Sequence, residues 1–258
     1  TEFNAVVNTK SRELTECNHS ATHLLQYALQ QVLGSHVEQK GSLVTPEHLR
    51  FDFSHFQKMT DEEIRKTEQI VNQLIRSDYA LQEYRDMPIN EAKAMGAKAL
   101  FGEKYGDKVR VIKFGDSMEL CGGTHISSTG KIGFFKIVSE SAIAAGIRRI
   151  EAVTSDNAEK FIFEQVDTIA TIKELLKNPV NLTKQVEQLV ADNAKLQKQL
   201  EAFEKQQTQQ VAKELLKETE TKNNISIIVK EISAANANAL KDIAFNLKNS
   251  LSSFIVVL

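Results

Sequence analysis

Every one of the eleven glycines in this 258-residue chain lies at or before Gly146, and residues 147–258 contain none. Glycine permits tight turns and close backbone approach. A stretch without it has few places to reverse, so the second part is expected to run as long helices. The first part, of about 150 residues, is expected to be a compact mixed domain.

Hydrophobic spacing fills in the elements. Asn18 to Gly34 reads as a helix, with Ala21, Leu24, Leu25, Ala28 and Val32 at helical intervals and Gly34 placed to end it. Leu43 to Phe53 reads as strand material broken by Pro46. Thr60 and Glu63 form a capping box that opens a helix to about Ser77. Its apolar face carries Ile64, Val71, Leu74 and Ile75. Glu91 to Leu100 is a weaker helix. Val109 to Phe114, Ile132 to Val138 and Ile147 to Val153, rich in Val, Ile and Phe, read as strands. That order fits an α+β fold of helices on a mostly antiparallel sheet.

Past residue 155 the pattern is helical from Asp156 to Leu176, is broken at Pro179, and resumes to about Glu218. Leu182, Val186, Leu189, Asn193, Leu196, Leu200 and Phe203 alternate spacings of four and three, a heptad seam over about three repeats. The seam is expected to be buried, most simply against the Asp156 to Leu176 segment, or in a coiled coil between two chains. After Asn223-Asn224 come a strand (Ile225 to Val229), a helix (Ala235 to Asn249) and an apolar terminal strand. The expected division is 1–155, then a helical linker over 156–222, then a partial α/β piece over 223–258. The chain starts at Thr1 without an initiator Met and stops inside an apolar run, which reads as a fragment of a longer protein.

Composition excludes several classes. Nothing approaches the roughly 18 apolar residues of a membrane span, and the first residues do not form a signal peptide. Two cysteines, Cys17 and Cys121, are no disulfide framework, so a reducing, cytoplasmic setting is expected. The net charge of −2 gives no global nucleic-acid footprint. From Arg85 to Arg149, however, eleven Lys/Arg stand against seven Asp/Glu, which allows a local basic face.

Two short windows carry the chemistry. His19-Ser20-Ala21-Thr22-His23 puts two imidazoles four apart on a helix, facing the same way. Ser20 stands where a metalloprotease motif would need its general-base Glu. Cys121-Gly122-Gly123-Thr124-His125 supplies a thiolate and a third imidazole across a glycine turn. Three of six histidines and one of two cysteines fall in these ten residues. One Cys and three His are a donor set that favours zinc, one ion per chain. His36, His48 and His55 read as surface or hydrogen-bonded residues and Cys17 as a small buried residue; Glu119, two residues before Cys121, reads first as a strand-end carboxylate in solvent and second as a group that orients a ligand or a water.

The stretch Asn18-His19-Ser20-Ala21-Thr22-His23-Leu24-Leu25 resembles the first editing motif of alanyl-tRNA synthetases. The following loop, Gly34-Ser35-His36-Val37-Glu38-Gln39-Lys40-Gly41-Ser42, resembles theirs too. Leu120-Cys121-Gly122-Gly123-Thr124-His125 is similar to the second zinc motif, and Gly130 to Phe135 and Ala145 to Ala152 are similar to the strands after it. The likeness spans roughly residues 10 to 155. Threonyl-tRNA synthetases share the two-motif layout, but the Cys-Gly-Gly-Thr-His form favours the alanyl family. Nothing resembles that family's ATP-dependent aminoacylation domain.

The resemblance implies hydrolysis of Ser-tRNA(Ala) and Gly-tRNA(Ala), with the tRNA acceptor end as partner and zinc held by His19, His23, Cys121 and His125. It implies that Thr22 and Gln39 serve the substrate, and Arg148 or Arg149 tRNA phosphates. Adjacent strand residues face opposite ways, so at most one of the two arginines can serve a given surface. Two other readings stay open: a tRNA-binding module with a structural zinc, and a coiled-coil interaction protein.

Overall fold

The computed structural model describes residues 3–99, 104–232 and 237–257. The chain divides into two compact units, Thr1–Ile169 and Ala170–Leu258. The fold class is α+β.

In the first unit the long helix α1 (Thr9–Leu33) starts nine residues before the expected Asn18. Asn8 caps it by accepting from the Ser11 N–H at 3.0 Å. Ala21, Leu24, Leu25, Ala28 and Leu29 bury its apolar face completely. Gly34 ends it at φ +113°, a region that favours glycine. Strands β1 (Gln39–Val44) and β2 (Leu49–Ser54) form a hairpin around Pro46. Helix α2 (Asp61–Arg76) is opened by the Thr60/Glu63 capping box, with both reciprocal bonds made.

The expected strand from Ile132 to Val138 is corrected by the structure. A 3-10 turn occupies Thr129–Ile132, Gly133 sits at φ +73°, and β6 (Phe135–Ala144) begins only afterwards. Ile132 and Phe135 are both fully buried, so turn and strand read as one apolar run in sequence. With β7 (Ile147–Thr154) these strands make a four-stranded antiparallel sheet in the order β1-β2-β7-β6. Its inner face, with Phe51, Phe53, Phe135 and Ile150, packs in one core with α1 and α2.

A second antiparallel sheet, β3-β4-β5, is built from Gln82–Pro88, Lys108–Phe114 and Ser117–Leu120. Only β4 is legible in sequence. β3 carries Glu83, Arg85 and Asp86 and has no apolar alternation, and β5 is four residues long. The helix expected over Glu91 to Leu100 is the shorter α3 (Ile89–Ala94), closed by Gly96 at φ +89°. Leu100 lies outside the described residues.

Helix α4 (Ser155–Leu175) follows β7. In the second unit α5 (Leu182–Lys217) is capped by Asn181. Its own unit does not cover the heptad seam. Leu189, Leu196, Leu200 and Phe203 are all more than half exposed in the single chain. The last turns of α5 instead give Ala212 and Leu215 to a small core shared with Ile228, Ile243 and Leu247. Here β9 (Ile225–Val229), α6 (Ala237–Ser250) and β10 (Phe254–Val257) form a parallel crossover, with β8 (Glu220–Lys222) antiparallel at the other edge. The expected helix start at Ala235 falls outside the described residues. About 35 residues cannot enclose a core alone; the end of α5 supplies the missing wall.

Candidate metal centre

His19 and His23 sit one turn apart on α1, and their neighbours hold that helix in place. The Asn18 side-chain amide donates to the Thr45 carbonyl at 2.8 Å, and its oxygen accepts from the Thr154 hydroxyl at 2.8 Å. Helix, hairpin turn and β7 are therefore tied together directly beside His19.

The second half of the site hangs from the end of β5. The Cys121 N–H donates to the Arg110 carbonyl at 3.1 Å. The Arg110 guanidinium donates to the carbonyls of Cys121 (2.9 Å) and Gly123 (2.5 Å). Arg110 is itself held by Glu83 at 2.5 Å. Arg85 and Arg110 keep the Glu83 carboxyl down at about 2. Sequence reasoning had no signal for this brace, because the contact joins β3 to β4 across a sheet whose first strand it did not find.

Four donor atoms converge. One each from His19, His23, Cys121 and His125 lie within 4.8 Å of one another. Cys121 Sγ is 3.5 Å from His19 Nε2 and 3.3 Å from His125 Nε2. A tetrahedral zinc with ordinary bond lengths sets neighbouring ligands about 3.3–3.6 Å apart. A carbonyl on the far ring nitrogen fixes the tautomer of His19. His19 Nδ1 donates to the Thr124 carbonyl at 3.0 Å, and His125 Nδ1 stands 3.1 Å from Ser20 Oγ. The His19 ring then keeps its Nε2 lone pair free on the side that faces the thiol, the arrangement that metal-binding imidazoles require. Ser20 Oγ also accepts from the Ile126 N–H at 3.2 Å.

Burial pushes all three imidazoles down, His23 to about 3, so they are neutral donors at pH 7. His23 is buried, whereas His19, Cys121 and His125 are half-buried, so the cluster is reached from one side. Donor set, spacing and protonation all fit a divalent transition metal.

The two glycines of the turn do different work. A Cβ at Gly123 would stand 2.2 Å from His19 Cε1 and 2.8 Å from its Nδ1. Gly123 is therefore the surface on which the His19 ring lies. A Cβ at Gly122 meets nothing within 4 Å.

The Thr22 hydroxyl is buried and donates back to the Asn18 carbonyl at 2.9 Å. Gln39 stands half-buried at the start of β1, opposite Phe53 and just before a bulge at Gly41. Arg148 is paired with Glu140 at 2.5 Å, and Arg149 makes two bonds to Asp52 at 2.7 and 2.8 Å. His36 and His55 bond each other at 3.0 Å. Cys17 is buried, donates to the Lys131 carbonyl at 3.4 Å and stands outside the cluster.

One reading is corrected. Glu119 is not in solvent: it is buried, with Oε2 3.6 Å from His23 Nε2. Burial raises its carboxyl to about 8, against the pull of Lys98. Its place two residues before Cys121 on β5 was the available signal, since residues i and i+2 of a strand share a face.

Residues 109–151 match the family described as "Threonyl and Alanyl tRNA synthetase second additional domain". The chain is 51% identical to the alanine–tRNA ligase of Parabacteroides distasonis over 256 residues, which is 99% of this chain and 29% of that protein. It is 54% identical to that of Cytophaga hutchinsonii over 254 residues, 98% of this chain and 29% of the relative. The enzyme of Porphyromonas gingivalis is 51% identical over 257 residues, with 99% and 29% covered. The chain thus spans less than a third of the length of the curated relatives it matches.

Proposed function

We propose that this chain, a relative of the alanine–tRNA ligases over nearly its whole length, hydrolyses the ester of tRNA(Ala) mischarged with serine or glycine. The observation that carries this reading is the convergence of His19, His23, Cys121 and His125 on one half-open point. Serine exceeds alanine by one hydroxyl and glycine lacks one methyl, so a synthetic pocket rejects neither strongly by binding, and a separate hydrolytic site is needed. Zinc is the metal the donor set suits. When bound it supplies polarisation of an ester carbonyl or a water of lowered pKa.

The protein's own residues orient that chemistry. Arg110 and Ser20 hold the Cys121 turn and the His125 ring. Gln39 has amide hydrogens to offer the serine hydroxyl or the ester. The Thr22 hydroxyl, its proton given to Asn18, keeps lone pairs for a substrate donor. Of the two arginines we assign the tRNA phosphate to Arg149. Its side chain is 28% exposed, against 11% for Arg148.

The test is incubation of the metal-replete chain with Ser-, Gly- and Ala-tRNA(Ala), following release of each amino acid. Serine and glycine are expected to be released while the alanine ester is spared. Tight tRNA binding with no release would favour a tRNA-binding module whose zinc is fully closed by its four ligands. In the same assay Gln39→Ala is expected to slow the serine ester more than the glycine ester, which has no hydroxyl to read. Equal loss on both would remove Gln39 from that role.

The exposed seam on α5 suits a second copy of the chain. Sedimentation equilibrium is expected to show concentration-dependent self-association, abolished by the double substitution Leu189→Asp and Leu196→Asp. Asn193→Leu is expected to change the association state, because a polar a-position residue sets register. A chain that stays monomeric at high concentration would make the seam an ordinary exposed helix face.

A further inference from the structure

Strand β2 carries Phe51 and Phe53, and His55 follows just past its end. Alternate residues of an extended chain project to one side. Their rings form a column. Phe51 stacks on Phe53 with centroids 6.1 Å apart and planes at 22°, and Phe53 stacks on His55 at 6.4 Å and 25°. His55 in turn stacks on His36 at 5.3 Å and 26°. These are offset-stacked pairs. Exposure rises along the column: Phe51 and Phe53 are fully buried, His55 is half-buried and His36 is exposed. The outer end is held in place. His36 Nε2 and His55 Nδ1 stand 3.0 Å apart, and the Ser54 hydroxyl donates to the His36 carbonyl at 2.8 Å.

A second ring stands at the same end of the sheet. Phe56 is 89% exposed. Its backbone is tied down, because the neighbouring His55 N–H donates to the Gly146 carbonyl at 2.9 Å. A Cβ at Gly146 would stand 3.0 Å from Phe56 Cε1, so the ring edge rests on that glycine. Lys58, two residues on, is an exposed cation. The segment that carries His36 leads into Gln39, and the cross-strand partner of Gln39 is Phe53, the second ring of the column. The rings therefore stand beside the residue assigned above to the substrate.

We propose that His36 and Phe56 form a stacking platform for the unpaired nucleotides at the 3′ end of tRNA. The proposal rests on the aminoacyl-tRNA reading above and deepens it by naming where the strand is held. Flat rings with polar edges suit a nucleobase better than an aliphatic chain. Every base has a π-face, so such a platform holds a strand without reading its sequence. Rings already fixed in place lose little freedom when a base stacks on them. Lys58 supplies a cation for the backbone phosphates. The ester is carried by the last nucleotide, so stacking the nucleotides before it at this end of the sheet keeps the ester on the Gln39 side.

The chain contains no tryptophan, so Phe56→Trp supplies a single fluorescent reporter. Titration with the single-stranded trinucleotide cytidine–cytidine–adenosine is expected to quench its emission. A blunt RNA duplex should leave it unchanged, as should the trinucleotide with the control Phe163→Trp on α4. Phe56→Ala and His36→Ala are each expected to weaken Ser-tRNA(Ala) binding about 5- to 100-fold, the scale of one lost base–aromatic stack. The single-turnover rate at saturating substrate should fall less than about threefold, with selectivity for serine over alanine kept. Phe56→Tyr keeps the ring and should bind as wild type does. Both side chains are exposed, so melting temperature and metal content should hold in every variant.

Unchanged emission of the Phe56→Trp reporter with the trinucleotide would overturn the platform. So would full affinity in both alanine variants. Emission that follows the concentration of the chain and not of RNA would give the rings to a second copy of the chain, and would overturn it as well. Serine release by the wild type without quenching in the reporter would bring down the platform alone. Quenching with no hydrolysis of any ester would uphold the platform and bring down the deacylase reading.

Discussion

Cys121→Ala protein is expected to release no measurable serine from Ser-tRNA(Ala) and to hold far less than one equivalent of zinc. The thiol is the hub of the cluster, 3.3 and 3.5 Å from two imidazole nitrogens. A bound thiolate is the softest and only anionic donor of the set. Its removal leaves three neutral rings whose burial already opposes charge. Losing a ligand costs affinity and, because folding builds the site, stability as well. Metal content by elemental analysis and rates by single turnover should fall together, while tRNA affinity, which comes from cationic groups elsewhere, should hold. Added zinc should raise the Tm of wild type and leave that of Cys121→Ala unchanged. Normal deacylation by Cys121→Ala would overturn the metal-centred reading.

Gly123→Ala should come close to Cys121→Ala in effect, although it removes no donor. The new methyl would stand 2.2 Å from His19 Cε1, so the ring must swing away. In doing so it loses the bond from Nδ1 to Thr124 that fixes its tautomer. Disturbing such a second bond typically costs metal affinity about 10- to 100-fold, and displacing the ligand itself costs at least that. Gly122→Ala is the control. Its Cβ points into open space and its φ is not in the left-handed region, so metal content and rate should stay near wild type. The comparison separates a glycine needed for backbone freedom from one needed for a side chain's resting place. Equal tolerance at both positions would show that His19 is not held where the structure places it.

Both predictions rest on residues legible in the chain alone. His19 and His23 announce themselves because helical periodicity puts residues four apart on one face. Cys121 and His125 do so because a thiolate and an imidazole across two glycines are a rare combination. α1, α2, β4, β7, the helices around Pro179 and the α+β class follow from spacing, caps and glycine positions. These are local rules, which act within about one turn of helix or one strand.

Tertiary structure decided the rest, because the deciding contacts join residues far apart in the chain. The charged strand β3 exists because β4 pairs with it, and its Glu83 then braces Arg110 under the cysteine turn. Ile132 and Phe135 look like one strand until packing bends the chain at Gly133. Glu119 reads as a solvent carboxylate until β5 lies against α1 and buries it beside His23. Arg148 and Arg149 look free until the sheet hands them Glu140 and Asp52. The heptad seam on α5 is plain in the sequence, yet its side chains stand exposed in the single chain. Periodicity states that a helix has an apolar face. Only the packed structure states what covers it, since burial depends on which surface arrives and not on the pattern that invites it.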